Sequence, residues 1–399
     1  MNSLEHAVVC DDHARVKTLL AKGADPNLKN RNGQTALQLA TVLGHFDVYK
    51  TLLPVTHQPD WDSLLQEFSR SGWKDQVKVA VVNGANLNNR DSVGDTPLVK
   101  AAKAGHHAIV ETLLTNGANP NIPGCTDYTP LHHAARAGHH AIVKTLLDKG
   151  AEADLKDMEG WTPLQFAAEN RHRDVYDTLL PETHQPDWNS LLPKLIYAGW
   201  HNQFNTALDN GANPNILVDY HSTPLHWAAG LGHHAMVKIL LKKGADPNLR
   251  DGDGWSALQA AVYWGHLDVY KTLLPETRQP DWNRLLPIFS CLGWKDQIKE
   301  ALVNGADPNI PLDTGTDPYI SVSYHLNTLL HLAAGAGQRD IVETLLVNGA
   351  DPKLKNKNGL TACQCASVEP IKEAIRNFMS VPHSLQFYCR ASIRSRLIK

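Results

Sequence analysis

The stretch DYTPLHHAARAGHHAIVKTLLDKGAEADLKD, from Asp127 to Asp157, decides how this chain folds. Thr129 stands where a hydroxyl can cap a helix, and Pro130 fits the first turn, where a missing N–H costs nothing. Ala134 and Ala135 are small enough for a neighbouring helix to approach closely. Gly138 closes that helix. A second helix follows, with Ile142, Val143, Leu146 and Leu147 at helical spacing. Gly150 ends it, and the polar run beyond predicts a hairpin-like finger. One such unit cannot bury its apolar face alone, whereas stacked copies can.

The copies are present. GDTPLVKAAKAGHHAIVETLLTNGANPN begins at Gly94, and YHSTPLHWAAGLGHHAMVKILLKKGADPNLRD begins at Tyr220. The Leu slot of T-P-L-H is held in turn by Leu4, Leu37, Leu65, Leu98, Leu131, Leu164, Leu192, Leu225, Leu258, Leu286, Leu330 and Cys363, which makes twelve units. Their spacings are 33, 28, 33, 33, 33, 28, 33, 33, 28, 44 and 33 residues. The recurring T-P-L-H, A-A-x-x-G-H and I-V-x-x-L-L-x-x-G-A-D-P-N resemble the ankyrin pattern. The resemblance implies an all-α ankyrin-repeat solenoid of about twelve helix-pair units with short hairpin fingers, filling residues 1–380.

The three short spacings coincide with one phrase, LLPVTHQPDWDSLL at Leu52, LLPETHQPDWNSLL at Leu179 and LLPETRQPDWNRLL at Leu273. Pro54, Pro181 and Pro275 stop a second helix just after its Leu pair. The G-A-D-P-N finger is missing, and a first helix begins near Trp61, Trp188 or Trp282. These are joints with truncated fingers, and the recurrence of the Trp with its context places it in the core, filling the gap. Phe68-Ser69, Leu195-Ile196 and Phe289-Ser290 replace the paired alanines there, so packing between neighbouring helices is expected to change. The long spacing comes from an enlarged finger, Pro311 to Asn327, in which Tyr319 and Tyr324 are candidates for partner contact.

Chemistry is harder to find. The net charge of −3 implies no basic surface for nucleic acid. No apolar run approaches membrane-spanning length. Six cysteines without a CxxC pair read as reduced thiols in a cytosolic or nuclear protein. Most of the 21 histidines sit in fixed repeat slots, displaced along the stack, which does not gather ligands round one metal. No phosphate-binding loop, nucleophile elbow or zinc-protease motif occurs, so neither an enzyme nor a cofactor is expected.

Surface remains. The ankyrin resemblance implies partners at the finger tips and the open side of the first helix, slots held by Asp95, Lys103, Tyr128, Arg136, Trp161, Glu169, Trp255, Tyr263 and Trp264. The sharpest cluster is GDGWSALQAAVYWGH in the ninth unit, where Trp255, Tyr263 and Trp264 offer an anchoring patch for a protein. Packing of Trp255 against neighbouring fingers, in the slot that Trp161 holds in the sixth unit, is the competing reading.

Beyond Pro382 the repeat pattern is lost, and Ser384 is placed to cap a new helix. SLQFYCRASI, with Leu385, Cys389 and Ile393 four residues apart, resembles the elongin-binding half of a suppressor-of-cytokine-signalling box (SOCS box). The pairing of such a box with an ankyrin array resembles the ankyrin repeat and SOCS box family. That resemblance implies that residues 381–399 form a helix whose Leu385 enters a pocket of elongin C, with Cys389 and Ile393 beside it. It also implies elongin B–elongin C as partners, a ubiquitin-ligase adaptor role and a cullin as the next subunit. The cullin-recruiting Leu-Pro-rich half does not precede Lys399, so either the sequence is incomplete or cullin recruitment is weakened or absent. The alternative is a scaffold, monomeric by itself, whose tail only caps the solenoid.

Overall fold

A computed structural model describes residues 3–218, 221–311 and 327–380. Tyr319, Tyr324, Leu385, Cys389 and Ile393 lie outside them, as does the expected tail helix at 381–399. Among the described residues there are 24 α-helices, two for each of the twelve units counted in the sequence. None is long and apolar enough to cross a membrane. The chain forms two compact units, Met1–Gln203 and Phe204–Lys399.

The register residues explain why the helices stack. Leu37, Leu65, Leu98, Leu131, Leu164 and Leu192 in the first compact unit, and Leu225, Leu258, Leu286 and Leu330 in the second, are all buried. Removing a large aliphatic side chain from water contributes roughly 1.5–3 kcal/mol, so these slots define the core. Cys363 departs from the pattern and is only half-buried. Gly138, at φ 74°, lets the chain leave the helix Pro130–Ala137. A Cβ there would stand 2.6 Å from Nδ1 of His172, so this position excludes side chains twice over.

Polar contacts fix one unit against the next. His132 Nδ1 accepts from Thr129 N at 3.2 Å. That leaves the ring proton on Nε2, which donates to Trp161 O at 3.0 Å. His226 and His331 repeat the arrangement, reaching Trp255 O at 3.0 Å and Leu360 O at 3.1 Å. Gln66 fills the same slot in the third unit, where its Nε2 reaches Asp95 O at 3.2 Å. A second ladder joins fingers, as in Glu152 N to Asn121 Oδ1 at 2.9 Å and Asp246 N to Asn215 Oδ1 at 2.8 Å.

The joints keep this ladder without a finger. Short 3₁₀ turns carrying the proline, Leu53–Val55, Leu180–Glu182 and Leu274–Glu276, replace the end of the second helix. The joint helices start at the tryptophan, as Trp61–Ser71, Trp188–Ala198 and Trp282–Leu292. The next residue stands in for the finger: Asp62 Oδ1 accepts from Asn86 N at 2.6 Å, and Asn283 Oδ1 from Asp307 N at 2.8 Å.

The tryptophans themselves correct the sequence reading. Trp61, Trp188 and Trp282 are half-buried rather than core. They sit at the first helical position, at the edge of the stacked faces. The packing is done two turns further on, by Phe68 against Tyr49 and Trp73 at 5.4 and 5.8 Å, and by Phe289 against Tyr270 and Trp294 at 5.4 and 5.9 Å. In the middle joint Leu195 takes the Phe slot, and Tyr176 meets Trp200 at 5.5 Å.

Burial holds His132, His226 and His331 below the ordinary imidazole value of 6.5. The unfolded chain therefore binds protons first as pH falls, and stability present above pH 6.5 is lost below it. The expected result is a Tm that falls steadily from pH 7 toward pH 5. The triple variant H132Q/H226Q/H331Q should fold, because Gln66 already bridges units from that slot, and should show a shallower fall. A thermal melt series across that range checks both.

Candidate functional site

Among the described residues, no three His, Cys, Asp or Glu side chains are placed to hold a metal ion. The five described cysteines are free thiols.

In the first compact unit, the capped helices Pro97–Ala104 and Pro130–Ala137 present Lys103, His133 and Arg136 along one cleft. Asp95, Cys125, Thr126 and Tyr128 complete its wall, around a volume of about 260 Å³. Asp95 is already engaged, with Oδ1 accepting from Cys125 N at 3.0 Å. Burial first, then the neighbouring Lys103, pushes the His133 pKa down to about 4. The cleft is therefore positive through Lys103 and Arg136 rather than through His133. Tyr128 stands 5.3 Å from His133 and 5.2 Å from Phe166, and burial raises its hydroxyl pKa. Phe166 in turn lies 5.1 Å from Trp161. Lys194 closes the other side of Trp161, 4.0 Å over its ring and 3.4 Å from Glu169.

In the second compact unit, the helix Ala257–Tyr263 places the ninth-unit aromatics together. Trp255 meets Tyr263 edge-on at 5.1 Å, and Tyr263 meets Trp264 edge-on at 5.3 Å. Trp264 is 65% exposed, the largest aromatic surface offered by the described residues. It lies over Gly230, where even a Cβ would come within 3.4 Å of its ring. Both readings of Trp255 contain part of the answer. Its backbone is tied down, N to Asp251 Oδ1 at 2.8 Å and O to His226, and it is half-buried. Its ring is covered from one side by the Arg284 guanidinium at 5.0 Å.

The sequence residues thus form two groups. Asp95, Lys103, Tyr128 and Arg136 share one cleft, with Trp161 and Glu169 linked to Tyr128 through Phe166 and Lys194. Trp255, Tyr263 and Trp264 form the other. Sequence reasoning missed Phe166, Lys194 and Arg284, whose roles come from rings and cations meeting across units. It also missed Gln38, Gln165 and Gln259, although a visible signal marks them: Gln replaces His in T-P-L-H just before each joint.

A family model described as "Ankyrin repeats (3 copies)" matches residues 4–124, 120–190 and 195–284, and one described as "Ankyrin repeats (many copies)" matches 321–366. The putative palmitoyltransferase ZDHHC13 of Danio rerio is 39% identical over 74 residues, 18% of this chain and 12% of that protein. The human palmitoyltransferase ZDHHC13 is 39% identical over 84 residues, 20% of this chain and 13% of that protein. The probable E3 ubiquitin-protein ligase XBOS32 of rice is 45% identical over 53 residues, 13% of this chain and 11% of that protein. The chain therefore spans only a small part of the curated relatives it matches.

Exposure separates docking from packing. Replacing Trp264 by Ala is expected to change unfolding free energy by less than about 0.5 kcal/mol, as for surface sites generally. Phe289→Ala should cost about 3–5 kcal/mol, because it empties a fully buried slot. Urea unfolding of the two variants measures the contrast.

Proposed function

Because the chain belongs to the ankyrin-repeat proteins, we propose that it is a protein-interaction adaptor. More specifically, it serves as a substrate-receptor subunit of an elongin–cullin ubiquitin ligase. The observation that carries the adaptor reading is the Trp255–Tyr263–Trp264 cluster: an aromatic surface held rigidly by backbone hydrogen bonds, with Trp264 turned to solvent. Rigid aromatics lose little entropy on binding and are favoured as interface anchors. The Lys103–Arg136 cleft with Tyr128 offers a second, polar surface. Tyr319 and Tyr324 in the long finger are further contact candidates.

The ligase part rests on the tail. In this reading the array ends at residue 380, and 381–399 carries Leu385, Cys389 and Ile393 to elongin C. The last described helix, Glu369–Ser380, supports it indirectly. Ile371 and Ile375 are buried, while Glu369, Lys372 and Arg376 form an exposed ion-paired face with contacts of 3.5 and 2.9 Å. A polar outer face is what the end of a solenoid requires. Such a face supports a reading in which the cap is supplied before residue 381 and the tail is free for another role. Catalysis would belong to other subunits, and the adaptor would act by holding the target near them. The ligase and transferase names of the relatives attach to short stretches and bring no catalytic residue to this chain.

Purified protein is expected to bind the elongin B–elongin C pair, and Leu385→Ala should abolish that binding while leaving Tm unchanged. Calorimetric titration of both proteins reads the result. A folded wild-type sample that does not bind removes the ligase reading and leaves the ankyrin adaptor.

A further inference from the structure

One charged slot recurs in the last turn of the first helices. Arg70, Lys103, Arg136 and Glu169 each stand five residues after a register leucine, in order Leu65, Leu98, Leu131 and Leu164. At the outer two positions a neighbour meets the charge. Arg70 Nη2 lies 2.9 Å from Glu67 Oε2 and donates to Val42 O at 3.0 Å. Glu169 Oε2 lies 3.4 Å from Lys194 Nζ. The middle two differ. Lys103 and Arg136 are exposed, and among the described residues neither side chain makes a hydrogen bond or an ion pair. A cation in the last turn suits the helix dipole, which accounts for the residue type. The dipole does not account for where the unpaired cations fall, which is along the wall of one cleft.

The rest of that wall sets what charge fits. His133 contributes none, since burial first, then Lys103 and Arg136, hold its pKa down at about 4. Asp95 brings one carboxylate, but it is buried, and its Oδ1 accepts from Cys125 N at 3.0 Å. Two cations against one carboxylate leave a single positive charge in the cleft. The acids that act on Tyr128, Asp157 and Glu159, are not part of the wall. The space of about 260 Å³ admits a side chain entering from outside. Both cationic heads are open to solvent, so a ligand reaches them without moving either helix.

We propose that this cleft takes the carboxylate of an Asp or Glu side chain on the protein partner, with Lys103 Nζ and the Arg136 guanidinium donating to its oxygens. A carboxylate carries the one negative charge that the cleft lacks. A guanidinium presents its donors in the plane that two carboxylate oxygens require. A phosphoryl dianion would bring a second charge against Asp95. The Tyr128 ring, backed by Phe166 at 5.2 Å, offers an apolar wall to the stem of the acidic residue. The proposal rests on the reading that partners dock on the open side of the first helices, and it specifies an acidic residue as what they present here.

The test uses the full chain with ¹⁵N-labelled histidines, titrated with N-acetyl-Gly-Glu-Gly-amide. The same peptide with Gln or phosphoserine in place of Glu serves as comparison. His133 is the reporter, because its ring stays neutral at a pH where exposed imidazoles titrate. The Glu peptide is expected to move the His133 ring resonances and to bind about fivefold more tightly than the Gln peptide, the scale of one partly exposed charge pair. The double variant K103Q/R136Q should lose that preference. The control K144Q/K149Q, which removes the same charge from the helix His140–Asp148 and its C-cap, should keep it. Unchanged melting temperatures would show that both variants fold. Four outcomes overturn the proposal: no His133 response, equal binding of the Glu and Gln peptides, tighter binding of the phosphoserine peptide, or a preference that K103Q/R136Q and K144Q/K149Q affect alike. Elongin B–elongin C binding, measured on the same samples, reports on the tail, so that reading and this one fail separately.

Discussion

In most units a polar side chain directly follows the register leucine, and where it is buried it needs a partner, a demand around which much of the array is arranged. Leaving such a group unpaired costs about 1–3 kcal/mol, a large share of any domain's stability. His132, His226, His331 and Gln66 meet it by reaching a finger carbonyl. Gln38 and Gln165 meet it by reaching a joint helix whose serine and aspartate stand where a finger would. A finger carbonyl is met by His or by Gln66, whereas the hydroxyl or carboxylate of a joint helix is met by Gln38 or Gln165. An imidazole presents one donor at fixed reach, whereas an amide can turn toward a hydroxyl or carboxylate at a different height.

The joints show how a solenoid removes a protruding loop without breaking its ladder. Pro54, Pro181 and Pro275 stop the helix, the following Asp caps the next one, and Asp62 or Asn283 accepts the hydrogen bond that a finger would have taken. The aromatic groups around Tyr49 and Tyr270 then restore the packing. Burial pushes the Tyr49 hydroxyl up to about 12, and Tyr270, further raised by its bond to Glu300, lies higher still. Both rings are therefore neutral near neutral pH.

Most of this fold could be read from one sequence because the period itself is the information. Leu131 and its equivalents mark every unit, and Gly138 and Thr129 mark helix ends through local backbone chemistry. Trp61, Trp188 and Trp282 were misplaced because recurrence reports a conserved context within the array, not depth. Depth depends on where along the helix a residue stands. The aromatic cluster at Trp255 was legible as composition, but its cover by Arg284 was not, since that contact joins residues 29 positions apart. Gln259 was overlooked for a related reason. A substitution in a repeat slot becomes meaningful only when its partner, Ser63, Ser190 or Arg284, is known.

The most direct test of this account is the stability of Arg284→Ser, measured by urea unfolding. If the third joint carries a buried donor without an acceptor, the serine supplies one, as at the other two joints. The variant should then be more stable by about 1 kcal/mol, and the gain should disappear when Gln259→Leu is also present. A variant no more stable than the wild type, or a gain that persists alongside Gln259→Leu, would contradict the claim that this one side chain decides how each joint is closed.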